Sequence, residues 1–158
     1  MPAVDQLVCF ALYAANRTTT QAYRALLEPW NLTYPQYIAL VTLWNDGEQT
    51  VGSLGDALQL DSGTLSPMLA RMENAGYLTR TRRPDDERVV TVALTERGVR
   101  LRTELAHVPQ CIAAGSGLTD AASARELIDA LRHLTEAMKD LRDHPDDARD
   151  AHATRHTA

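Results

Sequence analysis

The chain has 158 residues, 44% of them hydrophobic, and a formal net charge of −5. That length suits one domain, or one domain with helical extensions for pairing. The apolar stretch 7–15 is too short to span a bilayer and has no cationic flank before it, which predicts a cytoplasmic protein with no signal peptide and no membrane partner.

In chain order, residues 5–28 show apolar residues at helical spacing, and Pro29 lies beyond the end. Thr33 is an N-cap for a second helix, with Pro35 tolerated in its first turn and Asn45-Asp46-Gly47 as its stop. A short helix follows over 51–58, with Leu54, Ala57 and Leu58 facing inward. Asp61 caps the next, through Glu73, in which Leu65, Met68, Leu69 and Met72 fall at i, i+3, i+4 and i+7. Pro67 in its early turns is a local cost, and Ala75-Gly76 is the stop. Residues 77–83 and 88–94 alternate and are β-branched around the polar turn 84–87, which predicts a β-hairpin. Thr95 caps a helix from Glu96 to about His107. Pro109 and the small residues 113–117 imply a break. A last helix over 119–142 carries Leu127, Leu131, Leu134, Met138 and Leu141 at alternating spacings of four and three, the seam of a helix that packs on another helix. The polar tail 143–158 is read as disordered.

Three helices and a hairpin make a mainly α chain with a winged helix–turn–helix pattern. The division expected is a DNA-binding module over 33–95, and a helical dimerisation region from 5–30 with 96–142. Acidity argues against a polyanion partner, but charge is uneven. Residues 61–100 hold seven arginines against six acids, while the flanking segments are each net −3. Ser62, Gly63, Thr64, Ser66 and Arg71 lie off the apolar face of their helix, where small donors can reach phosphates or base edges of double-stranded DNA. Arg80, Arg82, Arg83 and Arg88 line the hairpin and could flank a minor groove. The plainer reading is a solvated polar face, with arginines in local ion pairs and Asp86 shaping the turn beside Arg83 or Arg88.

Asp86-Glu87-Arg88 followed by Leu94-Thr95 resembles the D-x-R-x5-L-T signature of the MarR family of winged-helix regulators. The resemblance runs from about residue 5 to 142. It implies a recognition helix at 62–72, a wing at 78–94 with Arg88 near its tip, and a homodimer interlocked by the first and last helices. A two-fold dimer implies a pseudo-palindromic operator with half-sites about 34 Å apart.

Two cysteines, Cys9 and Cys111, are first read as small buried hydrophobes kept reduced in a cytosol. However, Leu7-Val8-Cys9-Phe10-Ala11-Leu12-Tyr13 resembles the start of the organic hydroperoxide branch of that family. So do Leu32-Thr33-Tyr34-Pro35-Gln36-Tyr37 and Leu60-Asp61-Ser62-Gly63-Thr64-Leu65. The resemblance implies that Cys9 is a redox-sensing thiol, with Tyr23 and Tyr34 donating hydrogen bonds to its thiolate and Phe10 and Tyr13 lining the pocket of an organic hydroperoxide inducer. An ordinary thiol is only a few per cent ionised at neutral pH, and a place in the first turns of a helix favours the anion. Packing is the alternative role for each tyrosine. Two-cysteine relatives carry V-P-x4-C-x2-G-L. Here Val108-Pro109 and Gly117-Leu118 match, the cysteine position is Ala114, and Cys111 stands three residues earlier. Cys111 is the candidate resolving thiol, and a small-molecule thiol is the alternative.

The expectation is a dimeric repressor released from its operator by oxidation of Cys9, with no catalytic residues. A regulator answering to a small aromatic ligand is the rival. A thiol peroxidase would need a second redox motif, and no C-x-x-C is present. His107, His133, His144, His152 and His156 show no compact ligand spacing, so no metal and no other cofactor is expected.

Overall fold

The computed structural model describes residue 4 and residues 7–118 and 120–146. The chain divides into two compact units, residues 1–112 and 113–158. Of the polar tail, 147–158 lie outside the described residues.

The first unit opens with α1 (Val8–Leu27), which a short 3₁₀ turn over Glu28–Trp30 extends. It starts later than the sequence pattern suggests, with Leu7 as its extended N-cap. Helix α2 (Tyr34–Asp46) begins where Thr33 predicts: the Gln36 side chain reaches back to accept the Thr33 N–H at 2.8 Å. Gly47, at φ +76°, ends it. Helix α3 (Val51–Leu58) buries Leu54 and Gly55 but leaves Ala57 exposed, contrary to the pattern. Helix α4 (Ser62–Asn74) buries the four predicted residues, Leu65, Met68, Leu69 and Met72. Pro67 does not break it. The proline removes one N–H, but the Asp61 cap and the buried face hold the helix on either side. Its end is a Schellman turn. Gly76 N–H bonds to Glu73 O at 2.8 Å and Tyr77 N–H to Met72 O at 3.0 Å, with Gly76 at φ +75°.

The hairpin forms as β2 (Leu78–Arg82) and β3 (Val90–Leu94), antiparallel, with Arg80 opposite Val92. A third strand, β1 (Gln49–Thr50), pairs with the other edge of β3, so the sheet order is β1-β3-β2. The sequence pattern misses β1, because two residues carry no alternation. The helix predicted from Glu96 to about His107 is shorter. It ends as α5 (Glu96–Glu104), turns over 105–107, and resumes as α6 (Val108–Gly115) with Pro109 in its first turn. Leu101, Leu105 and Val108 stay buried across that turn, which is why the apolar pattern reads as unbroken.

The core joins Leu27, Leu40, Leu43, Leu54, Leu69, Met72, Leu78 and Val92 into one cluster. Trp44 and Tyr77 add polar ties. The Trp44 indole donates to Gly98 O at 2.8 Å, and the Tyr77 hydroxyl to Trp30 O at 3.0 Å. Apart from Leu27, α1 buries nothing. The second unit holds α7 (Ala121–Asp143), capped by Asp120, and none of its residues is buried. The seam residues Leu127, Leu131, Met138 and Leu141 are all exposed. No helix among the described residues is long and apolar enough to cross a membrane.

Gly98 is a packing glycine, since a Cβ there would run into the Tyr77 carbonyl oxygen. Gly98→Ala is expected to cost about 1–3 kcal/mol by overpacking. At about 2–4 °C per kcal/mol for a chain of this size, thermal unfolding should show the loss as a lowered midpoint.

Candidate nucleic-acid interface and thiol site

Helix α4 presents Ser62, Gly63, Thr64, Ser66 and Arg71 to solvent while its opposite face is buried. Asp61 holds its first turn. One carboxylate oxygen accepts the Thr64 N–H at 2.9 Å and the other the Thr64 hydroxyl at 3.1 Å. The bond from the Thr64 N–H, reinforced by the hydroxyl, holds the Asp61 carboxyl below its ordinary range. The Arg71 Nε–H donates to Pro67 O at 3.3 Å.

The hairpin arginines divide into different roles. Arg80 is half-buried and tied to Glu73 of α4, its Nη2 lying 2.8 Å from Oε2. Arg83 lies against Asp85, with Nε to Oδ1 at 3.0 Å, which pulls the Asp85 carboxyl down. Arg82 reaches Glu87 O at 3.3 Å. Asp86 shapes the turn: Oδ1 accepts the Arg88 N–H at 3.0 Å, and the Asp86 carbonyl accepts Val89 N–H at 2.9 Å. Among the described residues the Arg88 guanidinium has no partner. The D-x-R spacing thus has a mechanical basis, in which the aspartate binds the backbone of the arginine and leaves its side chain unengaged.

Both cysteines are exposed. Cys9 is the second residue of α1, where backbone N–H groups are not yet paired within the helix. Phe10 and Tyr13 lie beside it with ring centroids 6.4 Å apart, and the Tyr13 hydroxyl accepts from Arg17 at 3.4 Å, a neighbour that sequence reasoning missed. Leu7, Val8, Phe10 and Tyr13 leave apolar surface open here, with Val8 65% exposed.

Tyr23 and Tyr34 stack with centroids 4.3 Å apart, and Tyr37 joins them 5.8 Å from Tyr23. Burial raises the Tyr23 and Tyr34 phenols, so both remain protonated donors at neutral pH. The thiol, however, is not with them. Cys9 and Tyr23 lie 14 residues apart on one helix, about 21 Å at 1.5 Å per residue. The structure therefore brings together each half of the expected thiol site but not the two halves within one chain. Cys111 is the fourth residue of α6. Its N–H bonds to His107 O at 3.0 Å, and His107 packs 5.9 Å from Trp30, near the opposite end of α1 from Cys9. Because α6 is helical through Gly115, Cys111 is displaced from position 114 by a single turn.

A family model described as transcriptional regulator SarA/Rot matches residues 21–105. The organic hydroperoxide resistance transcriptional regulator of Bacillus subtilis strain 168 is 42% identical over 135 residues, which cover 85% of this chain and 91% of that one. The chain is a winged-helix transcriptional regulator of the MarR family. Among solved structures of such regulators, reduced AbfR of Staphylococcus epidermidis bound to DNA superposes with a TM-score of 0.74 at 32% identity, covering 85% of this chain and 91% of that one. Disulfide-formed AbfR gives 0.59 at 33%, covering 86% and 90%. AbsC, a MarR family regulator of Streptomyces coelicolor, gives 0.73 at 26%, covering 88% and 97%. The SarA/Rot match spans the winged module and leaves both cysteines of this regulator outside it.

The Asp61 cap makes a pH-dependent contribution to α4. The folded-state value is depressed, so the contribution is complete above the unfolded value of about 3.9 and is lost as pH falls through the depressed one. Asp61→Asn should keep a cap but flatten that part of the acid limb, read from thermal midpoints between about pH 2 and 6.

Proposed function

We propose that this regulator is a homodimeric repressor that holds a pseudo-palindromic operator while Cys9 is reduced and releases it when an organic hydroperoxide oxidises that thiol. The observation that carries the reading is the layout of α1. The thiol and its apolar neighbours sit at one end, and the stacked tyrosines sit about 21 Å away at the other. Two antiparallel copies of such a helix place each thiol beside the other's phenols. The unburied faces of α1 and α7 are the surfaces that pairing would cover. The B. subtilis relative is an organic hydroperoxide regulator by name, and AbfR has both a reduced DNA-bound form and a disulfide form.

In this reading α4 enters the major groove with Ser62, Gly63, Thr64, Ser66 and Arg71 outward. Arg88 reaches the minor groove from the wing, with Arg82 and Arg83 beside the phosphates. The Cys9 thiolate attacks the outer oxygen of the hydroperoxide, the O–O bond breaks, and an alkoxide leaves to be protonated as the alcohol. Cys9 is now a sulfenic acid. The Cys111 thiolate of the second protomer attacks that sulfur, the S–O bond breaks, hydroxide leaves and takes up a proton from solvent as water, and a disulfide forms. A disulfide requires the two Cα atoms within about 7 Å, so closing it moves the protomers and disturbs the spacing of the recognition helices.

Two experiments test this. A heterodimer of a Cys9→Ser chain with a Tyr23→Phe/Tyr34→Phe chain should retain one intact thiol site, and sulfenic-acid trapping after cumene hydroperoxide should report about half the wild-type signal at the wild-type rate. If both phenols act within one chain, the heterodimer reacts only at the slow rate of the tyrosine variant. Peroxide release of a Cys9→Ser homodimer from DNA would instead favour a ligand-responsive regulator. On the DNA side, Arg88→Gln removes one cation from each protomer of the dimer and should lower the slope of log affinity against log salt by about 1.8.

A further inference from the structure

Resting on the DNA-binding reading, we infer that Glu73 and Arg80 are a positioning pair that holds the wing at a fixed angle to the recognition helix, and that Arg80 does not itself contact DNA. The Glu73 carboxylate accepts three bonds from one residue. Its Oε1 takes the Arg80 backbone N–H at 2.9 Å, and its Oε2 takes Nε at 2.9 Å and Nη2 at 2.8 Å. The side chains are only 29% and 34% exposed. Arg80 alone among the four hairpin arginines is held by a residue of another element. Arg82 and Arg83 bind partners in their own turn, and the Arg88 guanidinium is unengaged among the described residues.

The placement is mechanical. Glu73 is the last residue but one of α4, and Arg80 is the middle of β2, across from the fully buried Val92. Strand β2 is an edge strand, bonded only to β3. Beyond Thr81 and its partner Thr91 the hairpin projects past β1 as a two-stranded ribbon. Its tip at residues 85 and 86 is five or six residues on from Arg80, about 17–20 Å if extended. A tilt of about 5° at Arg80 would shift the tip by about 1.5 Å, more than the half ångström within which a recognition group must be held. The backbone bond fixes the height of β2 against α4, and the forked guanidinium fixes its rotation, a role suited to the planar fork and not to a point charge.

The test uses the full-length reduced dimer, a duplex that the wild type selects from a random-sequence pool, and an unrelated duplex of equal length. Glu73→Gln keeps an acceptor for the Arg80 N–H but removes the charge pair, and Arg80→Lys keeps the cation but loses the fork. Each should bind the selected duplex about tenfold more weakly, bind the unrelated duplex within about twofold of wild type, and leave the salt slope unchanged. Glu73→Gln binding the selected duplex as tightly as wild type or more tightly would overturn the proposal, since a freed Arg80 would then be at least as useful on DNA. So would an Arg80→Lys protein that binds like wild type. If Glu73→Gln fails to fold by thermal melting, Arg80→Lys carries the decision. A wild type that selects no duplex would instead overturn the DNA-binding reading itself.

Discussion

The rise of an α-helix is fixed at about 1.5 Å per residue, and the thiol site depends on that rigidity. Helix α1 is anchored at its C-terminal end, where Leu27 is buried and Tyr23 and Leu26 pack half-buried against the core, while the residues around Cys9 stay exposed. Everything near its start, Cys9 included, is therefore held at a set distance from everything near its end, where Tyr23 stacks on Tyr34 and Tyr37. A chain built this way carries two half-sites. Contact between the Cys9 thiol and the Tyr23 phenol is thereby out of reach within one chain.

The winged module follows a different economy. It has many arginines, but most are committed before any partner arrives. Arg80 is held by Glu73, Arg83 by Asp85, and Arg97 lies over the Tyr77 ring with its Nη1 on the Ala75 carbonyl. In a chain of net charge −5 this leaves a sparse set of unengaged cations, each in a defined place. Such a surface offers little general attraction to phosphate and leaves exposed the small side chains of α4 and the Arg88 guanidinium of the hairpin.

Where single residues set local backbone geometry, the fold is legible in the sequence. Thr33, Asp61 and Thr95 are caps in the structure as in the pattern, and Gly47 and Gly76 are stops. The buried face of α4 follows directly from its spacing. Features set by distant partners are not legible. Strand β1 exists because Gln49 and Thr50 meet Val92 and Thr91, forty residues on. The turn between α5 and α6 hides under continuous burial of Leu101, Leu105 and Val108. Glu73 and Arg80 are seven apart, across a helix end and a turn, outside the three- and four-residue spacings at which helical charge pairs are recognised. The thiol site lies between these cases. Resemblance supplies Cys9, Tyr23 and Tyr34, yet the fourteen-residue separation of the first two already parts them once the segment is known to be one unbroken helix.

The anchoring of α1 at its C-terminal end also bears on how such a chain can change over generations. Adding or deleting one residue between Cys9 and Tyr23 swings the thiol by about 100° around the helix axis and moves it about 1.5 Å along, while the core contacts from Tyr23 onward stay in place. The reactive end can thus be re-aimed in discrete angular steps without disturbing the part of the chain that makes up the winged module. One helix is thereby divided into a fixed root and a tunable tip.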